Sequence, residues 1–167
     1  MACKICDKIK KGSELKIYED EKVIAFIEEK PAVLGQITLA PKEHFPILEQ
    51  VPDFIADHLL IIANKLSSAL FDSLNIQGTN ILINNGVTAG QKHSHFSINI
   101  IPRTENDNIN LEWQPKQLDE EEMSTIELKL KEHTAHIGAF QKEKKTEPIP
   151  ETKKEVIKDE ENYLTKQ

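Results

Sequence analysis

"QKHSHFSINIIPR", residues 91–103, is the stretch on which the reading of this chain turns. His93 and His95 stand one residue apart at the start of an alternating run. Alternate side chains of an extended strand share a face. The pattern therefore puts His93, His95, Ser97 and Asn99 on one side and Ser94, Phe96, Ile98 and Ile100 on the other. The second set is mostly apolar and belongs in a core. The first is polar throughout and is expected to line a surface or a cleft.

Working outward, "TNILINNG" (79–86) reads as the preceding strand, closed by an Asn-Gly turn. "NGVTAGQK" (85–92), with two glycines, is a tightly turning connection. Further upstream, "LKIYED" (15–20) and "KVIAFIE" (22–28) form two strands around a polar turn, and "GQITLAPK" (35–42) forms a third. Between the two groups of strands, Ile55, Leu59, Ile62, Leu66 and Ala69 recur at steps of three and four. They predict a helix over 52–72, with Pro52 suited to its first turn. A charged helical stretch runs to Gly12. Asp119 with Glu122 resembles a capping box opening a later helix whose face is marked by Met123, Ile126 and Leu130. Strands, helix, strands, helix in that order give an α+β domain with an antiparallel sheet. From about Gly138 the chain is charge-rich and broken by prolines, and is read as a flexible tail over 138–167, leaving 1–137 as the domain.

Composition sets limits. The 167 residues suit one domain and an appendage, and a net charge of −7 argues against a binder of nucleic-acid backbone. No signal peptide and no span-length apolar run is expected, so no membrane partner is inferred and the cytoplasm is the default compartment. The two cysteines, Cys3 and Cys6 in "CKIC", cannot build a disulfide framework. That spacing serves either a redox pair or a metal, and a metal needs further ligands from elsewhere.

Several spaced segments together resemble the histidine triad (HIT) family of nucleotide hydrolases and transferases. Asn84, Gly86, Gly90, Gln91, Pro102 and Arg103 match its turn and strand signature, "APKEH" (40–44) its Pro-Lys-x-His segment, and "YEDEKVIAFIE" (18–28) its first strand pair. The resemblance covers roughly residues 2–132. It implies a HIT-like α+β fold with a five-stranded antiparallel sheet and two main helices. In that register the three family histidines fall at His95, Ser97 and Asn99, and His93 is an additional histidine outside the triad.

The resemblance also implies what those positions would do. The middle position carries the nucleophile that attacks phosphorus. Ser97 is a weak nucleophile without a base, and Asn99 can donate a hydrogen bond but cannot carry charge or shuttle a proton. Many prokaryotic-type members hold zinc through residues equivalent to Cys3, Cys6, His44 and His95, so a structural Zn²⁺ is expected here. Nucleotide contacts are expected from Glu28, Asn84, Gly90, Gln91, Lys92 and Asn99, with a purine nucleotide as ligand. A homodimer is implied, and a protein partner for the tail is a further expectation. The function that follows is a zinc-stabilised binding or regulatory module with impaired catalysis. The alternative is an active phosphohydrolase or nucleotidyltransferase acting on nucleoside phosphoramidates or dinucleoside polyphosphates.

Overall fold

The computed structural model describes residues 3–134, 137 and 138. Five short runs rich in β-branched residues pair into one antiparallel sheet: β1 (Lys16–Glu19), β2 (Val23–Ile27), β3 (Ile37–Pro41), β4 (Gly78–Ile83) and β5 (Ile98–Arg103), in the order β1-β2-β3-β5-β4. The polar turn between β1 and β2 is held by Asp20, whose Oδ1 accepts from the amides of Lys22 and Val23 at 2.8 Å each. β5 lies between β3 and β4 and faces Asn99 to both Thr38 and Leu82.

Alternation along the strands separates the two faces of the sheet. Val23, Ala25, Ile37, Leu39, Ile98 and Ile100 are buried in one core with Ile55, Leu59, Ile62, Ala63 and Leu70 of the helix α2 (Asp53–Ser73). This helix is long and apolar enough, by length and composition, to cross a membrane. Its stripe against the sheet makes it instead the core helix of an α+β layer pair. The predicted stripe ran through Leu66 and Ala69, but the buried positions drift to Ala63, Ser67 and Leu70. The cause is the 3.6-residue turn, which rotates a strict three-four pattern off axis along the length of a helix. Ser67 is tolerated in the core because its hydroxyl pairs with that of Thr79 at 2.7 Å.

Among the described residues, one further α-helix precedes the sheet in sequence and one follows it. α1 (Lys4–Lys11) begins at Cys3, stops at Gly12 and buries only Ile5. α3 (Glu120–Thr134) opens as the sequence indicates: Asp119 Oδ1 accepts from the Glu122 amide at 2.7 Å. Its apolar face behaves differently from a core face. Met123, Ile126 and Leu130 are all exposed. The tail from residue 139 onward lies outside the described residues.

Candidate metal centre and adjoining cleft

The stretch that opened the sequence reading departs from a simple strand. β5 begins only at Ile98, so residues 93–97 approach it as an irregular segment. His95 differs from His93, Ser97 and Asn99 in being buried, at 1% exposed, where it meets Cys3, Cys6 and His44. Two bonds fix the segment here. The Phe96 amide donates to the Phe45 carbonyl at 2.6 Å, and His95 Nε2 donates to the Pro41 carbonyl at 2.9 Å.

That second bond fixes the tautomer and leaves the Nδ1 lone pair free. Nδ1 lies 3.5 Å from Cys3 Sγ, 3.4 Å from Cys6 Sγ and 3.2 Å from His44 Nδ1, while Cys6 Sγ lies 3.3 Å from His44 Nδ1. All four ligand atoms fall within 4.8 Å of one another. A tetrahedral zinc with bonds of about 2.0–2.3 Å separates its ligands by roughly 3.3–3.8 Å. The observed edges fit that figure, and the donor set, two sulfurs and two imidazoles, is one zinc takes in closed structural sites. Both cysteines are free thiols. Burial holds the His95 imidazole below its ordinary value, against the opposing effect of its bond to Pro41, so the ring is neutral at pH 7, as a ligand must be. Burial also pushes the Cys6 thiol up, with the nearby Cys3 adding to the effect. A divalent cation would reverse this by stabilising the thiolate. Cys3, Cys6, His44 and His95 are therefore brought together as expected from three separate parts of the chain.

Beside this cluster, on the sheet face opposite α2, is a cleft of about 730 Å³. Ser97 and Asn99 line it, as do Glu28, Asn84, Gly90, Gln91 and Lys92. Several of these have a bracing task as well. Gln91 accepts from the Gly86 amide at 2.7 Å and donates to the carbonyls of Pro46 at 2.6 Å and His93 at 2.8 Å. Asn84 donates to the Gly90 carbonyl at 3.2 Å. Gly90 is in the left-handed region at φ 85°, where a side chain would be strained. These bonds hold the connection between β4 and β5 as one wall of the cleft. Glu28 is oriented by Thr38, whose hydroxyl donates to Oε2 at 3.0 Å.

His93, set aside as lying outside the triad register, also lines the cleft. Ser97 lines it with His93, while His95 is buried at the metal cluster. Lys4 and Lys8 line it too, and nothing in the reading of the sequence singled them out. Their signal was present: Lys4 stands between the two cysteines, and an i, i+4 pair shares one helix face. Arg103 lies elsewhere. Its guanidinium grips the Asp107 carboxylate at 2.5 and 2.9 Å and donates to the Ile109 carbonyl at 2.6 Å, securing the turn after β5.

Comparison with known proteins agrees with this geometry. A family model described as the HIT domain matches residues 10–106. The chain is 34% identical over 106 residues to the adenylylsulfatase HINT3 of Arabidopsis thaliana, covering 63% of this chain and 54% of that protein, so it spans about half the length of this relative. Among solved structures, a HIT family member from Bacillus subtilis superimposes with a TM-score of 0.73 at 27% identity, covering 79% of this chain and 96% of that one. A zinc-bound histidine triad family protein from Mycobacterium smegmatis superimposes with a TM-score of 0.62 at 25% identity, covering 70% and 85% of the two chains. With a matched domain over more than half its length and the same sheet-and-helix architecture, this chain belongs to the HIT family.

Proposed function

We propose that this chain is a zinc-stapled HIT protein that binds a purine nucleotide in its cleft and does not turn it over efficiently. The observation that carries this reading is the division of the triad positions. His95 is the one imidazole among them, and it faces two sulfurs and His44. The positions that face the cleft are Ser97 and Asn99. A phosphate in the cleft would meet a hydroxyl and a carboxamide, which can donate hydrogen bonds but supply neither a good nucleophile nor a proton relay. Glu28, held by Thr38, is suited to accept from a ribose hydroxyl, and Lys92 supplies positive charge at the mouth. A zinc held by Cys3, Cys6, His44 and His95 would supply structural closure, since four protein ligands would leave no open position for substrate.

The chain would act as a binding or regulatory module. Pairing of two copies through the outer face of α2, where Leu60, Ile61 and Phe71 are exposed, belongs to the same reading. Two free thiols committed to a metal suit a reducing compartment such as the cytoplasm.

One observation favours turnover instead. His93 opens on the same cleft as Ser97 and brings an imidazole where the triad positions have none. It is a candidate base or nucleophile. The relative named as an adenylylsulfatase is consistent with such chemistry. Calorimetry with AMP, together with a turnover assay on an adenosine phosphoramidate and a dinucleoside polyphosphate, separates the two. Saturable AMP binding without product supports the binding module. Product formation abolished by Ser97→Ala or His93→Ala overturns it.

A further inference from the structure

α1 has two jobs on its two sides. Cys3 at its start and Cys6 in its first turn reach the metal cluster, while Lys4, Ile5 and Lys8 face the cleft. The helix has eight residues and buries a single side chain, Ile5. A helix that short is marginal on its own. Apart from the cysteines, its visible anchors are Ile5, the Lys8–Glu29 ion pair at 3.1 Å and the stacking of Lys8 Nζ over the Phe26 ring at 4.7 Å from its centroid. Both of the last two contacts are partly open to solvent and are weak.

The charge on this wall runs against the chain as a whole. The protein carries a net −7, yet four lysines, Lys4, Lys8, Lys30 and Lys92, surround this cleft against two carboxylates, Glu28 and Glu29. Glu29 is paired with Lys8 and Glu28 accepts from Thr38. Among the described residues, Lys4, Lys30 and Lys92 make no ion pair. Cations left unpaired around a concave, partly apolar site concentrate the field on an anion in it.

We infer that Lys4 and Lys8 form an anion subsite of the cleft that selects a nucleotide carrying a chain of phosphates over a monophosphate, and that the metal cluster keeps this subsite in place by pinning α1. This rests on the nucleotide-binding reading above and adds to it both the class of nucleotide and the dependence on metal. The β- and γ-phosphates would lie toward α1, where they meet Lys4 and, one helical turn on, Lys8, whose ammonium would exchange its partly exposed Glu29 partner for phosphate. Release of the metal would leave α1 held by Ile5 and two exposed contacts, and the cations would no longer be fixed over the cleft.

The test is calorimetric binding of ATP and of AMP to the zinc-loaded full chain. The expected result is roughly tenfold tighter binding of ATP, the scale of one charge-assisted hydrogen bond. Lys4→Gln with Lys8→Gln removes both charges, and with the Lys8 cation its contact over Phe26, and is expected to abolish the preference by weakening ATP binding roughly tenfold more than AMP binding. Lys10→Gln with Lys11→Gln removes equal charge from α1 outside the cleft and is expected to preserve the preference. Cys3→Ser, which removes one metal ligand, is expected to lower ATP affinity to that of AMP with the sheet intact by circular dichroism. Equal binding of ATP and AMP to wild type, an unchanged preference in the Lys4/Lys8 variant, or its equal loss in the Lys10/Lys11 variant overturns the subsite. A full preference in Cys3→Ser overturns the dependence on metal. Absence of binding by either nucleotide to every form overturns the underlying nucleotide reading instead.

Discussion

Two polar residues show how environment sets a role. Asp20 accepts from two backbone amides, from Tyr18 at 2.8 Å and from His58 at 2.6 Å. Burial works to raise its carboxyl, but the Val23 amide, the His58 imidazole, the Lys22 amide and the Tyr18 hydroxyl outweigh it and hold the group well below the usual carboxylate range. A depressed folded-state value means stability that is complete above the unfolded value, about 4, and lost as pH falls below it. Asp20→Ala is expected to cost about 1–2 kcal/mol at pH 7. Urea midpoints of the variant and wild type should converge as pH is lowered through 4 toward 2, and a constant gap down to pH 2 would exclude the assignment. Ser97 behaves in the opposite way. It lines the cleft, where a bound phosphate would accept from its hydroxyl, so Ser97→Ala is expected to weaken AMP binding roughly tenfold, read by calorimetry.

At the scale of elements, the two elements whose placement depends most on single positions are α1 and the turn before β3. α1 is attached through its cysteines, so chelation should act on it first. Zinc at a hundredfold excess over its Kd is expected to stabilise the fold by about 2.7 kcal/mol. For a chain of this size that is a rise of roughly 5–10 °C in Tm, measured with and without chelator. The turn before β3 depends on Gly35, at φ +86°, where a Cβ would lie 2.7 Å from Leu74 Cδ1 at the end of α2. Gly35→Ala meets backbone strain and requires the Leu74 side chain to shift, and is expected to lower stability by about 1–3 kcal/mol in denaturant melts. Substitution at the exposed Gly12, which has nothing near its missing Cβ, would show the strain without the clash and should cost less.

For the molecule as a whole, the distribution of exposed apolar side chains frames its assembly. Leu60, Ile61 and Phe71 on the outer face of α2 are each about half exposed, and Ile81 on the edge strand β4 is 45% exposed. In the proposed homodimer they would be covered. Sedimentation equilibrium is expected to give twice the 19.0 kDa chain mass, and Leu60→Glu with Ile61→Glu to return it to one. A wild-type chain that sediments as a monomer at high micromolar concentration would refute pairing through this face.

What could be read directly were the features written in local pattern. The short apolar runs of β2 and β3, the periodicity of α2 and the Asp119 cap all lie where the hydrophobic pattern or a capping side chain decides the backbone within a few residues. The four metal ligands were also legible as a set, though only through resemblance to a family: the Cys3–Cys6 spacing is local, but His44 and His95 are distant from it and from each other in sequence. The tertiary structure decided the rest. It buried His95 against Cys3, Cys6 and His44, with the Pro41 carbonyl accepting from its ring. It left His93, Lys4 and Lys8 around one cleft and left the apolar face of α3 exposed. Period and propensity report what a segment can form. Which face it buries, and which distant side chains share its site, depends on partners that only the folded chain brings within reach.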